Sequence, residues 1–128
     1  MLDINPEIVC GIIEKSREFQ AKEEVVIPED PHSPGDDWAL QVLADHIGDL
    51  TYVEVSNLIT DLEPIQQVTL VALMWLGRGD FELDEWESAM EQAKDSWTER
   101  TAEYLLATPL VSDFLTDGLD QLGHSCNE

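Results

Sequence analysis

Basic residues are scarce in this chain. Only six lysines and arginines stand against 28 aspartates and glutamates, which gives a formal net charge of -22 over 128 residues. Binding to a nucleic acid backbone or to an anionic lipid surface depends on basic patches, and the composition argues against both. We therefore expect neither direct nucleic acid binding nor membrane association.

Cysteine is almost as scarce, and long hydrophobic runs are missing. Cys10 and Cys126 lie near opposite ends of the chain with no CxxC spacing. This usage is typical of free thiols in a reducing compartment. The longest apolar run, 68–76, falls far short of the roughly 20 residues that span a bilayer. Residues 1–6 lack the basic and apolar regions of a signal peptide. We expect a cytoplasmic protein without a disulfide bond.

Motifs for catalysis and for metal binding are also missing. The chain has no nucleophile elbow, no glycine-rich phosphate loop and no HExxH zinc motif. We therefore predict no catalytic residue, and nothing in the sequence supports an enzyme. His124 and Cys126 are metal-capable, but a zinc site needs three or four ligands. We expect no metal ion, no cofactor and a flexible tail over residues 124–128.

The residues that are present predict one packed helical domain over 1–128. Hydrophobic residues make up 43% of the chain and include four tryptophans, and this length suits a single core. Apolar residues recur with helical spacing in most of the chain. The exception is residues 22–37, where Pro28, Pro31 and Pro34 predict a Pro-rich strap after the first helix.

We predict an all-α fold, a compact bundle of about six helices. The first begins at Asn5-Pro6-Glu7, which combines a capping residue with a proline at the first helical position. The segment 68–76 is apolar nearly all round, so we expect it in the most buried helix. Gly77 and Gly79 predict a connection with positive φ, after which Phe81 and Leu83 return to the core. The predicted helices span approximately 6–22, 36–47, 51–62, 64–76, 84–107 and 110–122.

Five carboxylates are spaced four residues apart in the second half of the chain and are here called the acidic ladder. They are Glu87, Glu91, Asp95, Glu99 and Glu103. On a helix, like charges at this spacing cost about 0.2–0.5 kcal/mol per pair. The opposite side carries apolar residues, including Trp86, Met90 and Trp97. We predict one amphipathic helix, from 84–87 to about 107, with the acidic ladder in solvent.

Three functional hypotheses remain open. The acidic ladder can dock a basic protein partner. Alternatively, the chain binds a small molecule or metal, as an enzyme or otherwise, in a pocket near the 77–80 loop. The third hypothesis is that the charge serves only solubility or adaptation to salt. The residues predicted for the alternative pocket are Trp75, Arg78, Asp80, Trp86 and Arg100.

Several short segments together resemble a bacterial family called domain of unknown function 3775, over nearly the whole length. The segments are Ile4-Asn5-Pro6-Glu7, Val9-Cys10, Leu70-Val71-Ala72-Leu73, Trp75-Leu76-Gly77-Arg78-Gly79-Asp80, Asp84-Glu85-Trp86, Thr101-Ala102-Glu103-Tyr104-Leu105-Leu106 and Thr108-Pro109-Leu110. The resemblance implies a small helical bacterial protein. It transfers no activity and no catalytic residue to this chain.

Overall fold

The computed structural model describes residues 4–22, 50–108 and 110–126. In this part of the chain six α-helices follow one another and no strand forms, which confirms the predicted all-α bundle. The predicted helix over 36–47 and nearly all of the predicted strap lie outside the described residues. The helices are α1 (Pro6–Lys22), α2 (Leu50–Thr60), α3 (Pro64–Arg78), α4 (Trp86–Ser96), α5 (Thr101–Ala107) and α6 (Val111–Gln121), with a 3₁₀ turn at Leu83–Glu85 before α4.

α1 begins where the local sequence predicts. The Glu7 amide donates a hydrogen bond of 2.8 Å to the side-chain oxygen of Asn5, which satisfies one of the free amides of the first turn. The buried face of α1, led by Val9, Ile12 and Phe19, packs on α2 and α6. No neighbouring residue requires a glycine at position 11, since an added methyl carbon there would meet nothing within 4 Å.

α3 is the central helix, as predicted. Every residue from Gln67 to Leu76 is buried, and the helix packs on α4, α5 and α6. It ends at Arg78, where Gly79 takes the left-handed conformation with φ 95°. The Gly79 amide then donates to the carbonyl of Trp75 at 3.1 Å, a common way to end a helix.

Gly77 does not break the chain, and that part of the prediction was wrong. It lies inside α3, where an added methyl carbon would lie 2.7 Å from the carbonyl carbon of Phe114 in α6 and nearer still to its oxygen. Gly118 in α6 meets the backbone of Leu73 in the same way. These two glycines let the backbones of α3 and α6 approach closely. Leu83 was also assigned wrongly to the core, since it is 47% exposed.

The predicted helix over 84–107 is two helices. α4 ends at Ser96, α5 begins at Thr101, and Trp97 between them has an extended backbone with φ -60° and ψ 136°. In this connection, threonine hydroxyls form hydrogen bonds with backbone groups. Thr101 Oγ1 donates to the Thr98 carbonyl at 2.8 Å. The Arg100 amide donates to Thr98 Oγ1 at 3.1 Å. Such local bonds compete with helix continuation.

Cys10 and Cys126 form a disulfide bond, with their Cα atoms 5.6 Å apart, so the prediction of two free thiols was wrong. The cysteines are 116 residues apart in sequence, and α6 brings them together because it packs beside α1. Cys126, which lies inside the predicted flexible tail 124–128, is therefore joined to α1. The His124 amide also donates to the Leu119 carbonyl at 2.9 Å.

Candidate functional site

The helix break divides the acidic ladder. Glu87, Glu91 and Asp95 lie exposed on α4, and Glu99 lies exposed in the connection to α5. Glu103 on α5 is only partly exposed, and its Oε1 is buried without a hydrogen-bond partner. Its charge acts on Tyr52 of α2. The structure thus keeps three of the five carboxylates in a row and turns the fifth toward the bundle.

An open groove of about 550 Å³, here called the acidic groove, runs along α4 beside the start of α3. Ile65, 40% exposed, and the half-buried Met90 provide apolar surface in the groove. The carboxylates of Glu87, Glu91 and Asp95 provide the charge. The lining residues are Ile65, Glu87, Ser88, Met90, Glu91, Lys94 and Asp95. The acidic groove therefore combines apolar surface with three acids against one base.

A smaller cleft of about 290 Å³ lies where α4 ends, and we call it the Trp97 cleft. The Trp97 indole N–H donates a hydrogen bond of 2.8 Å to Oε1 of Gln67, which is 7% exposed. The amide nitrogen of Gln67 in turn donates to the carbonyls of Ile59 and Leu62, at 3.1 Å each. This network fixes the indole ring at the wall of the cleft. The lining residues are Thr60, Leu62, Pro64, Gln67, Trp97, Glu99 and Ala102.

Three members of the alternative pocket do come together at the end of α3. Arg78 pairs with Asp80 through an Nε–Oδ2 hydrogen bond of 2.8 Å. The Trp75 indole N–H donates to the Tyr104 hydroxyl at 2.9 Å. Phe81 stacks on Trp75 with ring centroids 5.9 Å apart. These five side chains, here called the Arg78 cluster, contact one another.

The other two members of that predicted pocket are Trp86 and Arg100. Trp86 packs against the hydrophobic core at the start of α4, and Arg100 is exposed in the connection between α4 and α5. Tyr104 was not among the predicted site residues, although its buried hydroxyl needs a partner. Gln67 was missed as well, and its signal was a polar residue immediately before the most apolar segment of the chain, 68–76.

Burial and hydrogen bonds shift the pKa of two groups in the Arg78 cluster. Burial works against the charged form of Arg78, but the bond to Asp80 and the nearby Tyr104 hydroxyl outweigh it, so the pKa of Arg78 rises. Burial raises the pKa of Tyr104, and hydrogen bonding with Trp75 and the charge of Arg78 offset only part of that rise. The guanidinium stays charged and the phenol stays neutral.

The two tyrosines of the chain should both resist ionisation. Burial also raises the pKa of Tyr52 above its ordinary 10.0, with a smaller contribution from the Glu103 charge. The unfolded chain ionises its tyrosines near the ordinary value, so folding stability is unaffected below that pH and falls as the pH rises above it. A titration followed at the tyrosinate absorbance should show no step near 10.0. Ionisation of the tyrosines should coincide with loss of the helical circular dichroism signal. A tyrosine that titrates with an ordinary pKa in the folded protein would contradict the burial of Tyr52 and Tyr104.

Metal ligands do not cluster in the part of the chain that the structure describes. No group of three or more His, Cys, Asp or Glu there could hold a metal ion. Cys126 is joined to Cys10, so it does not act with His124 as a thiolate ligand. Among the helices described here, none is both long enough and apolar enough to cross a membrane.

Comparison with known proteins identifies a family for this chain. The family model described as protein of unknown function (DUF3775) matches residues 52–124. No curated protein and no solved structure matches the chain. The acidic groove, the Trp97 cleft and the Arg78 cluster all lie inside the matched residues, whereas Cys10 and Cys126 lie outside them. Since the match covers more than half of the chain, this protein belongs to the family described as protein of unknown function (DUF3775).

Proposed function

We propose that this chain is a small interaction protein that docks a basic partner in the acidic groove. The observation that carries the proposal is the lining of the acidic groove, where exposed Ile65 and half-buried Met90 adjoin the carboxylates of α4. An amphipathic helix with lysines or arginines beside an apolar stripe fits such a lining. Its apolar stripe covers Ile65 and Met90, while its cations face the acids.

The spacing of the acids supports a helical partner. Glu87, Glu91 and Asp95 are four residues apart on α4, so neighbouring carboxylates rise by about 6 Å along the helix. Basic residues four apart on a partner helix rise by the same distance and can match them one to one. The net charge of -22 adds long-range attraction, which speeds encounter with a cationic partner.

The competing hypotheses have less support from the described contacts. In the predicted small-molecule pocket, Trp75 binds Tyr104 and Arg78 binds Asp80, so these polar groups are already matched within the protein. A purely solubilising charge explains acids anywhere on the surface. It gives no reason for apolar Ile65 and Met90 to lie open among them.

We propose that the protein binds its basic partner in the cytoplasm of a bacterial cell. The bacterial setting follows the family resemblance. The cytoplasmic setting no longer has the support of free thiols, since both cysteines form one disulfide bond. In that compartment, the disulfide between Cys10 and Cys126 is exposed to reduction by cellular thiols.

The proposal predicts that charge reversal in the acidic groove weakens binding of a basic helix. The probe is a fluorescein-labelled synthetic helix of lysine and leucine, and the measurement is fluorescence anisotropy. The triple variant Glu87→Lys, Glu91→Lys, Asp95→Lys should bind it about 3- to 150-fold more weakly, because three exposed ion pairs of about 0.2–1 kcal/mol each are lost. Ile65→Ser should weaken binding as well, since apolar contact is part of the fit.

A matched control separates docking from bulk charge. The variant Glu18→Lys, Asp117→Lys, Asp120→Lys changes the net charge by the same amount at exposed positions on α1 and α6. It should retain most of the affinity. Equal losses in the two triple variants, with no effect of Ile65→Ser, would show that the charge acts only in bulk.

A further inference from the structure

The disulfide lies at the surface, where a thiol can reach it. Cys126 is exposed and Cys10 is half-buried on α1. Hollows of about 310 Å³ and 490 Å³ flank the bond; both are lined by Cys10, and the smaller also by Cys126. Thiol–disulfide exchange requires a thiolate to approach a sulfur atom, and access is one of the factors that set its rate. The bundle need not unfold for that approach.

α1 is held to the bundle by more than the disulfide. Val9, Ile12, Ile13 and Phe19 are buried, and α1 packs on both α2 and α6. Arg17 pairs with Asp113 of α6, and Lys15 pairs with Glu54 of α2, each at 3.5 Å. Opening the bond therefore leaves α1 in place.

The end of the chain is held differently. The described backbone bonds of Gly123 and His124 return to Asp120 and Leu119 of α6 itself. Gly123 has φ 88°, so the chain leaves the helix direction there. At Cys126 the disulfide is the covalent tie to α1. Gly123, His124 and Ser125 share the larger hollow with residues 5–7 at the start of α1.

We propose that the Cys10–Cys126 disulfide is a redox latch, which a dithiol reductant opens to release Cys126 from α1 while the helical bundle stays folded. Both cysteines of the chain serve this bond, and both lie outside the residues that match the family model. The inference is independent of docking in the acidic groove.

Reduction of the disulfide proceeds by two successive thiol–disulfide exchanges. A thiolate of the reductant attacks Sγ of the exposed Cys126, a mixed disulfide forms, and Cys10 leaves as a thiolate that takes up a proton. The second thiol of the reductant then displaces Cys126. The protein gains two electrons and two protons as two thiols, and the reductant becomes its own disulfide.

The test is reduction of the oxidised full chain by dithiothreitol in native buffer, followed by maleimide labelling and mass spectrometry. We expect complete labelling of the two cysteines without denaturant, with the helical circular dichroism signal retained. Hydrogen exchange should then increase at 123–126 and around residues 5–10, and not in α3.

The variants Cys10→Ser and Cys126→Ser provide a matched pair. Each should keep the helical signal and show the hydrogen-exchange pattern of the reduced chain. Two outcomes overturn the proposal: labelling that requires urea shows a buried structural bond, and loss of the helical signal on reduction shows that the bond holds the whole bundle together.

Discussion

Replacing Gly77 with alanine is expected to lower the free energy of unfolding by about 3 kcal/mol. The added methyl carbon would overlap the backbone carbonyl of Phe114, and a backbone group cannot move aside as the tip of a side chain can. α3 and α6 would have to separate along their contact. Because α3 is the central helix, that separation loosens packing throughout the bundle.

Urea unfolding followed by circular dichroism measures this loss, and the chain contains its own control. Gly11→Ala adds the same methyl group inside α1, where it meets nothing within 4 Å. That variant should be more stable than the parent by roughly 0.5–1 kcal/mol, because glycine is the poorer helix former. Gly118→Ala should resemble Gly77→Ala, since its methyl group meets the Leu73 backbone. Similar unfolding midpoints for Gly77→Ala and Gly11→Ala would contradict the close approach of α3 and α6.

Replacing Gln67 with leucine is the second large expected effect, also about 3 kcal/mol of destabilisation. The substitution keeps the approximate size of the side chain but leaves the Trp97 indole N–H and the Leu62 carbonyl without this partner. The Ile59 carbonyl keeps its bond from the Leu62 amide. Each buried polar group left unsatisfied costs about 1–3 kcal/mol. The indole of Trp97 would also lose the bond that fixes it at the cleft.

Thr69→Val is the matched control on the same helix. Thr69 is fully buried, and its hydroxyl donates to the Ile65 carbonyl at 2.8 Å, but that carbonyl also has its own helical partner. Its removal should cost less than about 1 kcal/mol. Hydrogen exchange of the Trp97 indole N–H, followed by NMR, should speed up in Gln67→Leu and not in Thr69→Val. Equal stability losses in both variants would mean that the Gln67 network adds nothing beyond ordinary burial.

The candidate site was partly accessible from the sequence. The four-residue spacing correctly placed Glu87, Glu91 and Asp95 together on one helix. It failed for Glu99 and Glu103, because the Trp97–Gln67 bond and the threonines of the connection interrupt the helix first. The apolar partner of the acids, Ile65, lies on another helix, so no local pattern could join it to them.

Gly79 and Gly77 also differ in what the sequence could predict. Gly79 was predicted to take positive φ and does, since the end of a helix selects that conformation locally. Gly77 was given the same role, yet its reason lies across the bundle at Phe114. When a neighbouring backbone requires a glycine, the residues next to that glycine in the sequence do not indicate it.

The sequence by itself determined the helical class, the capped start of α1, the burial of α3 and the charge of the α4 surface. These follow from the hydrophobic period, capping chemistry and composition, which act over a few residues. Only the tertiary structure decided the break at 97–100, the bond between Cys10 and Cys126, the contact of Gly77 with Phe114 and the joining of Ile65 to the acids of α4. Each of these depends on which helices pack together, because packing brings distant residues within bonding range while leaving no periodic trace along the chain.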